Sequence, residues 1–306
     1  MGKIAFVFPG QGAQYTGMGK DIFDNNKVAK EIFNKIDKIR PNTSEQCFEA
    51  EIAELSITEN TQPCIFSVEM AIACALKAEG IEPNCLAGFS LGEVTALTFS
   101  NALTFDDGVK FICKRAEYMQ ADTKKAETGM VAALKLDNKT VEDTAKEFDA
   151  VYPVNYNSPG QLVVAGDKNE LEDFSNKITE KGGRIIPLKV SGGFHSPFME
   201  EASNKILDEL DKIKFNKPNI PVYSNYTANI YTDNVKTLLA NQVKNPVLWV
   251  DIVNNMINDG IDTFIEVGPG KVLSGLIKKI NSEVIIYNVE DSKTLDDVVT
   301  RLKKEE

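Results

Sequence analysis

The sequence predicts an α/β protein: a parallel sheet wrapped by helices, with a smaller α+β unit inserted in it. Three observations carry this. Short apolar runs at 3–8, 85–89, 262–267 and 284–289 alternate with stretches of helical spacing, the texture of strands buried on both faces. Gly88-Phe89-Ser90-Leu91-Gly92 joins one such run to a helix-like pattern. Between 130 and 190 the order reads strand, helix, strand, strand, helix, strand, the split βαβ arrangement of a ferredoxin-like unit. The inserted unit is placed at 124–191 and the larger, discontinuous unit at 1–123 and 192–306.

In chain order, 3–8 is β-prone and ends in Pro9-Gly10-Gln11-Gly12. Its glycines let backbone N–H groups approach a ligand, although an ordinary turn has the same composition. Residues 21–40 have helical spacing, and 44–55 read as a short acidic helix. A helix starts around Asn60 to Pro63, with the proline near its first turn. Residues 64–77 are apolar nearly all round, so that helix is buried, and Gly80 ends it. After the elbow come a helix at 93–99, a break at 103–107 and a second helix at 108–121 carrying Arg115. The polar stretch 123–129 reads as a linker. The inserted unit follows: strand 130–136, helix 140–148, and a hairpin of 151–156 with 161–166 joined by a long turn at Asn157-Ser158-Pro159-Gly160. Helix 168–181, stopped by Gly182-Gly183, and strand 184–190 complete it. The chain returns through a loop at 191–197 containing His195, then a helix at 198–213 and a short strand at 221–225. Helices at 235–243, 249–258 and 272–280 and the last two strands fill the rest. There is no internal repeat.

The chain has 306 residues and a formal net charge of -11, which argues against a nucleic-acid or anionic-membrane surface. Its five cysteines are an odd set without a C-x-x-C. They read as small buried hydrophobes in a reducing, cytoplasmic setting. The run 3–8 is too short for a signal peptide, and no run reaches membrane-spanning length. Met1-Gly2 resembles a myristoylation start, but Phe6 stands where Ser or Thr is needed. Pro9-Gly10-Gln11-Gly12 lacks the Lys-Ser/Thr of a phosphate-binding loop. No metal, flavin or nucleotide signal appears, so no cofactor is expected.

The chemistry centres on Ser90. A G-x-S-x-G between strand and helix is a nucleophile elbow, with small residues flanking a strained serine. The helix that follows aims N–H groups and a positive dipole end at the site. A glycine-rich turn without chemistry has the same five residues. His195 is the only histidine, so it is the only imidazole that can serve Ser90 as base. It lies in a Gly-rich loop, 105 residues after the serine. That elbow is hydrolase-like, but the chain order is not convincingly that of an α/β-hydrolase. On its own, Arg115 beside Lys114 reads as a solvated basic residue.

Phe8-Pro9-Gly10-Gln11-Gly12, the elbow through Glu93, Arg115, Asn157 to Gln161, Phe194-His195-Ser196, Asn245-Pro246-Val247 and Glu266 to Gly270 fall in one order. In that order the chain resembles malonyl-CoA:acyl carrier protein transacylases of dissociated bacterial fatty acid synthases and, more distantly, polyketide synthase acyltransferase domains. The resemblance spans nearly the whole length. It implies a hydrolase-like α/β domain with a ferredoxin-like insert, and malonyl transfer from malonyl-CoA to the acyl carrier protein thiol through a malonyl-serine, supplying fatty acid biosynthesis. Malonyl-CoA is then a substrate, the carrier protein the partner, and a monomer is expected.

The resemblance also implies roles. Ser90 is the nucleophile and His195 the base, its imidazole oriented by the carbonyl of Gln242. The N–H groups of Leu91 and Gln11 form the oxyanion hole. Arg115 forks to the malonyl carboxylate, since a planar guanidinium matches a carboxylate bidentately. Breaking a buried ion pair costs about 3–5 kcal/mol, so a neutral acetyl group is disfavoured. Phe194 crowds the acyl α-carbon and favours malonyl over methylmalonyl. The sequence departs from the family at Phe89, where a histidine is usual. A serine hydrolase shares the elbow, and a non-catalytic carrier-binding scaffold is a further alternative. Acidic carrier proteins need a local basic patch on an acidic chain; Lys271, Lys278 and Lys279, or Lys181, Arg184 and Lys189, are candidates.

Overall fold

The structure, a computed structural model, describes residues 2–304. Its strands are β1 (Lys3–Phe8), β2 (Cys85–Gly88), β3 (Thr128–Leu134), β4 (Val151–Ser158), β5 (Gln161–Asp167), β6 (Arg184–Pro187), β7 (Val222–Tyr223), β8 (Ile261–Val267) and β9 (Ile285–Val289). They form two sheets. The larger is parallel, in the order β7-β2-β1-β8-β9. From β1 the chain passes to β2 on one side, while β8 lies on the other. Ligands of open α/β sheets bind beyond the carboxyl ends of strands at such a switch in order. Phe8 pairs with Gly88, so the loop after β1 and the serine elbow after β2 leave the sheet side by side.

Both faces of this sheet are covered. Along β1, Ile4, Phe6 and Phe8 enter one core and Ala5 and Val7 the other, the alternation of a pleated strand. Helices α1 (Lys20–Asn25) and α2 (Lys27–Ile39) form where one helix at 21–40 was expected. Asn26 breaks the run because its side chain caps α2, accepting from the Ala29 N–H at 3.0 Å. The acidic stretch likewise divides into α3 (Thr43–Glu49) and α4 (Ile52–Leu55). Helix α5 (Thr58–Ala78) begins earlier than expected, so Pro63 sits past its first turn. Every residue of α5 from Thr61 to Ala73 is buried. After the elbow run α6 (Gly92–Phe99) and α7 (Phe105–Asp122). The expected break at 103–107 is short, because Thr104 accepts from the Asp107 N–H at 3.1 Å and starts α7 at once.

The second sheet is antiparallel, ordered β4-β5-β3-β6. Helices α8 (Asn138–Ala145) and α9 (Lys168–Glu180) pack on one face, over Val131, Ala133, Leu162 and Val164. From its other face, Met130, Ala132, Val163 and Ala165 join the core of the larger unit. The hairpin turn is tight rather than long: β4 runs to Ser158 and β5 starts at Gln161. Strand β6 ends at Pro187, short of the expected 190, and the Val190 N–H turns back to the Leu188 carbonyl. Two backbone hydrogen bonds, Tyr156 N–H to Val247 and Val247 N–H to Val154, tie β4 to the larger unit.

A 3₁₀ turn at Pro197–Met199, capped by Ser196, precedes α10 (Glu200–Asp211). Helices α11 (Val235–Gln242), α12 (Trp249–Asn258) and α13 (Val272–Ile280) follow. The chain described ends in α14 (Ser292–Leu302), which the sequence reading did not anticipate. Asp291 and Thr294 form its capping box, and Leu295, Val298, Val299 and Leu302 bury one face.

Candidate active site

Ser90 sits at the tip of the elbow with φ +55°, a left-handed conformation costing a β-carbon-bearing residue about 1–2 kcal/mol. The flanking glycines make the turn possible. A Cβ on Gly88 would lie 1.8 Å from the Gly92 carbonyl carbon, and one on Gly92 2.3 Å from the Phe8 oxygen. Hydrogen bonds hold the strained residue: its N–H donates to Asn225 Oδ1 at 2.7 Å, and its carbonyl accepts from Gln242 Nε2 at 2.7 Å.

Ser90 Oγ and His195 Nε2 are 2.7 Å apart. His195 Nδ1 lies 2.9 Å from the Gln242 backbone oxygen. A carbonyl can only accept, so Nδ1 carries the proton and Nε2 is free to take the serine proton. The His195 N–H donates to the Val243 carbonyl at 2.9 Å, fixing the loop that bears it. Burial, and then the positive charge of Arg115, lower the imidazole from 6.5 to about 4. It is therefore neutral at pH 7.

Arg115 is not a solvated residue. It is fully buried in α7. Nη1 donates to Gln62 Oε1 at 2.6 Å; Nη2 donates to Gln242 Oε1 at 2.7 Å and to Ser90 Oγ at 3.2 Å. Burial lowers its pKa to about 10, against an opposing pull from Glu93, so it stays charged. Every group it touches directly is neutral.

Gln11, Leu91 and Phe194 line a narrow cleft of about 80 Å³ with Ser90 and His195. Among the described residues, neither the Gln11 nor the Leu91 N–H donates to a protein acceptor. Phe194 is buried. The structure thus brings together Ser90, His195, Arg115, Gln242, Gln11, Leu91 and Phe194. Phe89 also lines the cleft and packs on Trp249, ring centroids 5.6 Å apart. Its apolar contact occupies the place where the family usually has a histidine.

Sequence reasoning missed other residues. Gln62 and Asn155 line the cleft, and the Asn155 Oδ1 is buried without a partner. Asn225 and Tyr231 reach the elbow from more than 130 residues away, as partners of Ser90 and Glu93. Glu93, quoted only as the end of the elbow motif, is fully buried in α6. Asn225 and Tyr231 sit in segments read only as a short strand and its aftermath, and nothing local marks them. Among the described residues, no group of three or more His, Cys, Asp or Glu side chains is placed to hold a metal ion, and no helix is long and apolar enough to cross a membrane.

An α/β sheet with a serine elbow, a neutral buried imidazole on the serine and a buried cation beside it defines a class: enzymes that work through an acyl-serine, whether the acyl group then passes to water or to another acceptor. A profile described as "Acyl transferase domain" matches residues 5–306. The malonyl CoA-acyl carrier protein transacylase of Bacillus subtilis (strain 168) is 38% identical over 313 residues, covering 100% of this chain and 99% of that protein. The crystal structure of malonyl CoA-acyl carrier protein transacylase from Clostridium perfringens ATCC 13124 is 43% identical, with a TM-score of 0.96 over 99% of this chain and 98% of that one. A malonyl-transacylase solved in complex with its type II PKS acyl-carrier protein is 31% identical, with a TM-score of 0.95 over 98% of this chain and 99% of that one. The chain belongs to the acyl transferase family, in its malonyl CoA-acyl carrier protein transacylase branch.

Proposed function

We propose that this chain transfers the malonyl group of malonyl-CoA to the phosphopantetheine thiol of acyl carrier protein, through a malonyl ester on Ser90, supplying fatty acid synthesis. One observation carries the choice of acyl group: the buried Arg115 guanidinium, 3.2 Å from the nucleophile, touches only neutral acceptors. A substrate that brings its own carboxylate supplies the missing anion, and a charge-assisted fork is about twice as strong as a neutral hydrogen bond.

The Ser90–His195 contact at 2.7 Å supports the following steps. His195 Nε2 takes the Ser90 proton as Oγ attacks the thioester carbonyl. The Leu91 and Gln11 N–H groups receive the oxyanion, where losing one donor costs about 10²–10³ in rate. The tetrahedral adduct collapses, the imidazolium returns the proton to the leaving CoA thiolate, and Ser90 is left acylated. The carrier thiol then gives its proton to His195 and attacks the ester, and the imidazolium returns that proton to Ser90 Oγ as the serine leaves. Phe194, buried in the cleft wall, is the side chain we assign to crowding a methyl branch on the acyl α-carbon. This chemistry needs no cofactor, because malonyl-CoA is a substrate.

Incubation with malonyl-CoA should add one malonyl mass to the intact protein, and Ser90→Ala should abolish it. Addition of holo carrier protein should then discharge the adduct onto the carrier. No adduct, or an adduct on the Ser90→Ala variant, would refute the reading. Rapid loss of the adduct to water without the carrier would favour a hydrolase.

A further inference from the structure

One residue of the network carries no role in the reaction above. Glu93 is fully buried in the first turn of α6, three residues past the nucleophile. Its Oε1 accepts from the Asn225 N–H at 3.1 Å and from the Tyr231 hydroxyl. Its Oε2 accepts from Gln242 Nε2 at 2.6 Å. Glu93 makes no hydrogen bond to Arg115 and is joined to it by Gln242.

Gln242 is where three functions meet. Its backbone oxygen orients His195. Its side-chain oxygen holds Arg115, and its side-chain nitrogen holds the Ser90 carbonyl. These last two contacts require one amide orientation: oxygen toward the guanidinium, which can only donate, and nitrogen toward acceptors. A flipped amide would set N–H against N–H at Arg115. Glu93 is the carboxylate that pins the nitrogen end, and through the amide it is the distant counter-charge of Arg115. Asn225 closes the ring, since it binds the Ser90 N–H and the Gly88 carbonyl with its side chain and Glu93 with its backbone.

We propose that Glu93 is a positioning residue that locks Gln242 in the orientation serving Arg115, Ser90 and His195 together, and so ties recognition of the acyl carboxylate to the nucleophile. This inference rests on the malonyl-transfer reading above. In Glu93→Gln the Asn225 backbone N–H still requires an acceptor, so the new amide presents its oxygen there and its NH₂ to Gln242. Two NH₂ groups then face each other. Gln242 relieves this only by turning its own NH₂ onto the guanidinium. A damaged Arg115 site penalises malonyl more than acetyl, whereas general loosening of the elbow slows both alike.

The test is the rate of Ser90 acylation by malonyl-CoA and by acetyl-CoA, followed by intact mass, with thermal unfolding recorded in parallel. The wild-type malonyl adduct comes first: its absence sinks the functional reading, not this inference alone. Given that adduct, Glu93→Gln should lower the malonyl kcat/KM at least tenfold, mainly through KM, and the acetyl value less than threefold. An unchanged malonyl-to-acetyl ratio overturns the proposal. Should Glu93→Gln fail to fold, Tyr231→Phe decides, because it removes one donor to Glu93 and leaves the cleft intact. A ratio lowered about threefold supports the lock, and an unaltered ratio rejects it.

Discussion

Arg115 and His195 both reach the Ser90 hydroxyl, one as donor and one as acceptor. Burial sets the working range of the imidazole, and the guanidinium extends it. Burial and that positive charge both disfavour imidazolium, and its pKa falls from 6.5 to about 4. A base must be unprotonated in the free enzyme, so kcat/KM for acylation by acetyl-CoA, which does not draw on the Glu93 carboxylate that burial raises to about 7, should hold nearly steady as pH falls through 6.5 and decline steeply only near 4–5. In Arg115→Met the repelling charge is gone. The acid limb, measured with acetyl-CoA, should move up toward 6.5, while malonyl loading falls about 10–100-fold for the lost charged hydrogen bonds. An acid limb that stays put would separate the two residues. The same shift bears on folding: below 6.5 the unfolded chain takes the proton first, so this group's contribution to stability declines as pH drops toward 4. At this scale the sequence exposed the reacting atoms and hid their supports. Ser90 is marked by its glycines and His195 by being alone. Asn225, Tyr231 and Gln62 act through partners 53 to 138 residues away, and only the folded chain makes those pairings.

The elbow is the element on which the rest is hung, and its tolerance is narrow. Gly88→Ala drives a Cβ into the backbone of Gly92, at 1.8 Å, where no flexible side chain can give way. We expect that variant to be insoluble or to unfold many degrees early. Gly275→Ala is the opposite case: it lies in α13 with nothing within 4 Å of the added carbon. Replacing a mid-helix glycine by alanine should stabilise by about 0.5–1 kcal/mol. Thermal unfolding of the two variants side by side checks both signs. Element types were widely legible from periodicity, and boundaries were less so. Asn26 and Thr104 moved helix ends because capping is decided by a single side chain. Helix α14 was readable in the spacing of Leu295, Val298, Val299 and Leu302 and in its capping box, but the expectation ended at the strand before it. The two-residue turn at Pro159-Gly160 looked longer because strand pairing runs through Asn157 and Ser158, polar residues that read locally as turn.

Across the whole molecule the net charge of -11 opposes an acidic partner at long range, so docking depends on local cations. Of the two clusters named from the sequence, one borders the cleft. Arg184 starts β6, and Lys189 lies between Leu188 and Val190, which line the cleft. Among the described residues neither Arg184 nor Lys189 is in an ion pair, whereas Lys181 is paired with Glu147. Lys278 and Lys279 are engaged by Ser282 and Gln161. Lys189→Glu should therefore raise the apparent KM for carrier protein several-fold and leave that for malonyl-CoA unchanged. Equal effects on both would reject this docking face. That the two sheets share one cleft was not visible in either segment alone, because Leu188, Val190 and Met130 meet Ser90 only when the smaller sheet lies against the larger unit. A last consequence comes from the chain holding one histidine, and that one on the nucleophile. Its imidazole is the sole source of histidine ring-proton resonances in an NMR spectrum of the entire protein. Loading and unloading of the serine can thus be watched through a single isolated spin system, without isotope labelling or a reporter dye.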